Sequence, residues 1–121
     1  MLFRSAFAKF LDGAEDVKAF AKLPEQFGFS IEYPDTLSNI RNYYPDFVAR
    51  TSDGTHWIVE TKGREDIEVR LKDEAAERWC ANATTLTGTS WKYLKVPQKE
   101  YEGLHPSSFE ELYEGLKSES K

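Results

Sequence analysis

The feature that most constrains this chain is Ser52-Asp53-Gly54, set between two runs rich in aromatic and β-branched residues, Tyr43 to Arg50 and His56 to Lys62. A glycine closing a short polar tripeptide is a strong hairpin signal, so the two runs read as adjacent antiparallel strands. If all of Ser52-Asp53-Gly54 forms the loop, Thr51 pairs with Thr55. Counting back, Val48 faces Ile58 and Asp46 faces Glu60. A shorter Asp53-Gly54 loop moves the pairing by one and turns Asp46 to the other side of the sheet. Side chains alternate along a strand, so Glu60 and Lys62 project together while Thr61 points away.

The rest of the chain supplies elements to pack around this hairpin. Phe3, Phe7, Phe10 and Leu11 recur at helical spacing and predict a short amphipathic helix ending near Gly13. Residues 15–23 fit either a helix capped by Asp16 or a strand with Val17, Ala19, Ala21 and Leu23 alternating, and Pro24 ends either one. Phe29 to Tyr33 reads as a strand and Pro34 to Asn42 as a polar loop. After Gly63 a helix of about twenty residues is expected, starting near Asp66 and stopping at Gly88. Its apolar stripe would be Ile67, Leu71, Ala75, Trp79 or Ala76, Ala83 and Leu86. Trp91 to Val96 reads as a last strand. The helix before it makes a right-handed crossover, so this strand runs parallel to His56–Lys62. Ser107 and Ser108, each three residues before a glutamate, give a capping-box start to a closing helix. The whole is read as a single α/β domain over residues 1–121, a mixed central sheet flanked by helices on both faces.

Other function classes fall away. The 121 residues carry 16 basic and 21 acidic side chains, a formal charge of −5, which argues against holding nucleic acid by bulk charge. From Arg41 to Glu100 the charges balance, and the acidic excess lies in the two ends. One cysteine excludes a disulfide framework and a cysteine-based zinc site. No apolar run is long enough to span a membrane. Arg4 and Lys9 break up the apolar start, so it does not read as a signal peptide, and a reduced cytoplasmic setting is expected. No Walker-type phosphate loop is present.

The chemistry concentrates in Tyr44-Pro45-Asp46-Phe47 and Trp57-Ile58-Val59-Glu60-Thr61-Lys62-Gly63. Two carboxylates facing each other across apolar strands repel, and burial makes the repulsion worse. A divalent cation resolves this. Hard oxygen ligands suit Mg²⁺, or Mn²⁺ in its place, with the backbone carbonyl of Thr61 completing the protein ligands. Lys62 then stands beside the metal, able to position an attacking water or to neutralise charge growing on a phosphate. An arginine seated in the gap between the acids would remove the need for a cation.

These residues resemble a known family. Pro45-Asp46 followed by Glu60-Thr61-Lys62 looks like the PD-(D/E)xK motif of restriction-endonuclease-like nucleases. Tyr43-Tyr44-Pro45-Asp46-Phe47, Glu60-Thr61-Lys62-Gly63, Lys72-Asp73-Glu74-Ala75-Ala76 with Trp79-Cys80, and Trp91-Lys92-Tyr93 resemble the C-terminal endonuclease region of type III restriction enzyme Res subunits and related helicase-fused proteins. The likeness covers roughly residues 3–112. It implies Mg²⁺-dependent hydrolysis of DNA phosphodiesters, with Asp46 and Glu60 on the metal and Lys62 assisting. It also implies as partners DNA and an ATP-dependent helicase portion or a modification subunit. Many members of that fold carry an acid on the first helix. Here that helix has Arg4 and Lys9 and no acid before Asp12, so either the site works with two carboxylates or the start of the helix is missing from this chain.

Among the basic residues near the site, Lys72 and Arg64 are the candidates for phosphate contact, Lys72 foremost because it stands in the matching stretch. Arg70 and Lys92 lie near enough to touch phosphates as well, but read first as solvated charge, His56 and His105 as surface residues, Cys80 as a small core residue and the three tryptophans as core before base stacking. Two further readings stand beside the nuclease: a catalytically inactive nuclease-fold module for DNA binding or docking on a helicase, and an interaction domain using Glu110, Glu111 and Glu114 of the closing helix.

Overall fold

The computed structural model describes residues 2–63 and 67–119. Arg64 and Asp66 lie outside the described residues, as does the side chain of Ile67. The elements in chain order are α1 (Leu2–Gly13), β1 (Val17–Lys22), a 3₁₀ turn at Glu25–Phe27, β2 (Ile31–Pro34), β3 (Ile40–Tyr43), β4 (Phe47–Thr51), β5 (His56–Lys62), α2 (Ile67–Thr87), β6 (Trp91–Pro97), α3 (Gln98–Leu104) and α4 (Phe109–Glu119).

The central sheet has the order β1-β4-β5-β6. β4 lies antiparallel to both β1 and β5, and β5 and β6 run parallel, as expected of strands joined through a helix. The sheet is mixed and flanked by helices. It does not take in every strand: β2 and β3 form a separate antiparallel hairpin over one face. Pro34 to Asn42, expected as loop, therefore holds most of β3. The tight connection is made by Asp35, whose Oδ1 accepts the Leu37 and Asn39 amides at 2.8 and 2.9 Å while Oδ2 pairs with Arg41 at 2.8 Å. That arginine and those amides hold the Asp35 carboxyl down to about 2.

Pro45 explains a second departure. The run Tyr43 to Arg50, expected as one strand, is cut in two. Proline has no N–H for a ladder bond, so the chain leaves β3 at Tyr43 and enters the central sheet only at Phe47. The ambiguous segment near residue 17 is the edge strand β1. Asp16 does cap a helix, but a distant one: its two carboxylate oxygens accept the Phe109 and Glu110 amides at the start of α4, at 2.8 and 2.9 Å. The serine cap is also in place, with Ser108 Oγ accepting the Glu111 amide and the Ser107 hydroxyl donating to the Glu111 carboxylate at 2.6 Å. α3 was not expected. It follows directly from Pro97, whose fixed φ suits a helix start.

Two cores sandwich the sheet. On one face Phe3, Phe7 and Leu11 of α1 meet Phe47, Ala49, Trp57, Val59, Leu94 and Val96 from the strands and Phe109, Leu112 and Leu116 of α4. On the other, Ala75 and Ala76 of α2 pack with Ile31, Tyr33 and Tyr43 of the hairpin, with Phe29, Leu71, Trp79 and Tyr93 around them. β5 is covered on both faces, so Trp57 to Glu60 are all buried. The buried stripe of α2 runs through Val69, Ala75, Ala76 and Cys80. Leu86, expected in that stripe, is 84% exposed. Gly88, at φ +75°, then stops the helix. His56, read as a surface residue, is half-buried and lies tilted against Trp91 with ring centres 4.9 Å apart.

Candidate active site

The hairpin turn fixes the register. Gly54 takes a left-handed φ of +89°, which a side chain would strain, and its amide donates to the Thr51 carbonyl at 2.9 Å. The Thr51 amide donates to the Thr55 carbonyl at 3.0 Å. Asp53 Oδ1 accepts from the Thr51 hydroxyl and the Thr55 amide, and the Thr51 oxygen accepts from Trp57 Nε1 at 3.0 Å. The loop is therefore Ser52-Asp53-Gly54. Val48 pairs with Ile58 and Phe47 with Val59, so the same register carries on to Asp46 beside Glu60.

At that end of the hairpin the two acids meet. Asp46 and Glu60 are both 9% exposed. The Asp46 amide donates to Glu60 Oε1 at 3.2 Å. Asp46 Oδ2 accepts the Thr61 amide at 2.9 Å and the Thr61 hydroxyl as well. Thr61 thus locks the Asp46 carboxylate from the neighbouring strand, a role that strand alternation alone did not suggest. Burial pushes the Glu60 carboxyl up to about 8, and the nearby Asp46 charge and a hydrogen bond to its side chain add to this, while the Lys62 charge opposes it. In the metal-free protein at neutral pH, Glu60 holds its proton.

Cations surround the pair. Lys62 lies at the end of β5 on the Glu60 side, half-buried, and Lys95 of β6 is the register partner of Glu60. Lys95 Nζ pairs with Asp73 Oδ2 at 2.8 Å, and the Tyr93 hydroxyl donates to Asp73 Oδ1 at 2.6 Å. Burial and the Glu60 charge also push the Tyr43 hydroxyl up. Lys72 Nζ stands 5.7 Å from the Tyr33 ring centre and 6.0 Å from that of Tyr43, a cation over two aromatic faces. The structure therefore gathers Asp46, Glu60, Thr61 and Lys62 at one end of the hairpin. Lys72 stands against Tyr43, and Arg64 lies outside the described residues.

One partner was not foreseen. Arg4, in the first turn of α1, places Nη2 3.1 Å from Asp46 Oδ1. Its side chain is 48% exposed, so it reaches Asp46 from the solvent side. The arginine pairs with Asp46, and the charges that shift Glu60 are those of Asp46 and Lys62. The sequence signal was a basic residue where an acid had been expected. Among the described residues, no group of three or more His, Cys, Asp or Glu forms a metal-ligand cluster, so the constellation is a pair of carboxylates. Cys80 is inert, its thiol pushed up to about 12 by burial.

Comparison with known proteins gives the family. No curated relative and no solved structure matches the chain. A family model described as "Endonuclease domain" matches residues 3–99, which takes in α1, the whole central sheet, both acids, Thr61 and Lys62. The mixed sheet with helices on both faces agrees with a restriction-endonuclease-like fold. On a match over most of its length, the chain belongs to this endonuclease-domain family.

Proposed function

We propose that this chain is a metal-dependent endodeoxyribonuclease domain of the type III restriction kind, cutting DNA phosphodiesters at the Asp46–Glu60 pair. The observation that carries the reading is the hairpin register. It brings two buried acids together with a lysine on the same strand and a threonine clamping one of the acids. Such a pair suits a hard divalent cation, Mg²⁺ or Mn²⁺. The donors are carboxylate oxygens, one acid is kept protonated chiefly by burial and by the charge of the other, and a guanidinium is drawn to that other. Asp46 and Glu60 are the protein ligands in this reading, with the Thr61 carbonyl as a third. A cation bound there supplies Lewis acidity and lowers the pKa of an attacking water.

The chain's own residues do the rest. Thr61 holds Asp46 Oδ2 through its amide and hydroxyl, leaving Oδ1 to turn outward. With a cation there, Glu60 would lose its proton to solvent and become the second carboxylate ligand. Lys62 positions the water or offsets charge growing on the phosphate. Lys72, with Arg64, takes a flanking phosphate. A chain this acidic releases few counterions, so its own DNA affinity is weak and target recognition comes from a partner, a helicase portion or a modification subunit. Among the described residues no helix is long and apolar enough to cross a membrane.

The Arg4–Asp46 pair favours a second reading, a catalytically inactive module that keeps the fold for DNA contact or docking on a helicase. Cleavage of supercoiled DNA in Mg²⁺ and in Mn²⁺ separates the two. The nuclease reading expects nicking that is lost in Asp46→Asn and in Glu60→Gln. Equal cutting by parent and variants, or none by any, removes it.

A further inference from the structure

We propose that Arg4 is a built-in competitor for the cation site, holding the same Asp46 oxygen that a divalent ion must take. The inference rests on the metal-site reading of Asp46 and Glu60 and concerns what sets affinity there. The two oxygens of Asp46 are used differently. Oδ2 is committed to Thr61, through a backbone amide fixed in β5 and a hydroxyl on the same residue. Oδ1 faces Arg4 Nη2 at 3.1 Å. A cation joining Asp46 without breaking the Thr61 clamp must approach Oδ1, where the guanidinium sits.

The position of Arg4 argues that the contact is built in. A positive charge in the first turn of a helix opposes the helix dipole, so Arg4 needs a compensating anion, and Asp46 provides it. Phe3 and Phe7 on the same helix are buried against the sheet, which anchors α1 and keeps Arg4 beside the site. The arginine side chain itself is half in solvent, so it can leave Asp46 without disturbing the core. The pair joins a buried carboxylate to a half-exposed cation and keeps Asp46 neutralised when no ion is bound.

The test is a calorimetric titration of the metal-free full chain with MnCl₂ at low salt, using the parent, Arg4→Gln, Lys9→Gln and Asp46→Asn. Thermal melts check that each variant is folded. Arg4→Gln is expected to bind Mn²⁺ about two- to fivefold more tightly, the range expected from releasing one half-exposed ion pair. The gain should shrink as salt is raised. Lys9→Gln removes the same charge from the exposed side of the same helix and is expected to bind as the parent does. Suppose Asp46→Asn abolishes binding but Arg4→Gln binds equally or more weakly, or Lys9→Gln gains as much. The competitor role is then wrong while the metal site stands. If the parent takes up no Mn²⁺, or Asp46→Asn binds as well as the parent, the metal reading fails and takes this inference with it.

Discussion

The elevated Glu60 carboxyl makes a quantitative claim about stability that needs no metal and no DNA. Its pKa lies near 8 in the fold against an ordinary 4.5, chiefly because burial penalises the charged form. Below pH 4.5 the group is protonated folded or unfolded and contributes nothing to the difference. Between pH 4.5 and 8 the unfolded chain gives up the proton and the folded chain keeps it. The folded state then binds more protons, and stability falls as pH rises. The slope is about 1.4 kcal/mol per pH unit, which amounts to roughly 3 kcal/mol by pH 7 as an upper figure. Glu60→Gln removes the titration while keeping an Oε1 that can accept the Asp46 amide. The variant should match the parent near pH 4.5 and exceed it by up to about 3 kcal/mol at pH 7. Urea melts in EDTA at pH 4.5, 6.0 and 7.5 read the difference between the two proteins, which cancels the titration of groups that do not interact with Glu60. A difference that does not widen with pH, or a parent that gains on its variant as pH rises, would refute the claim that Glu60 stays protonated in the fold.

Other outcomes follow from single contacts. Asp46→Ala, which on repulsion alone should stabilise the fold, should instead cost about 1 kcal/mol in a urea melt, because it strands the part-buried Thr61 amide. Gly54→Ala forces a side chain into a left-handed turn and should cost about 1–2 kcal/mol, read as a lower melting temperature, with activity falling further if the register slips. Phe7→Ala empties the centre of the α1 core and should cost about 3–5 kcal/mol, enough to unfold a marginal domain by circular dichroism. Cys80 should resist a thiol reagent at pH 8 in the native protein and react at once in denaturant. Fast native labelling would contradict its burial.

The parts of this molecule that were legible in the sequence are those written in neighbouring residues. Gly54 announces the hairpin, and the count from it to Asp46 and Glu60 is arithmetic on a two-residue repeat. Phe3, Phe7 and Leu11 announce the packed face of α1 in the same way. What stayed hidden depends on groups far apart in the chain. β3 has Ile40, Arg41 and Asn42 facing solvent and only Tyr43 buried, so no alternation marks it, and it exists because Asp35 gathers its turn. Asp16 lies at the start of a strand but caps a helix more than ninety residues later. Arg4 belongs to the same class. On its own helix it is a badly placed charge, and only the fold shows what it answers to. The same reasoning bears on function. Asp46, Glu60 and Lys62 form a motif that a reader of the chain can find, and if they hold a cation as proposed, how readily they do so depends on a contact between the first helix and the hairpin. A relative with identical hairpin residues and a neutral side chain in place of Arg4 would carry the same motif and take up a cation more readily.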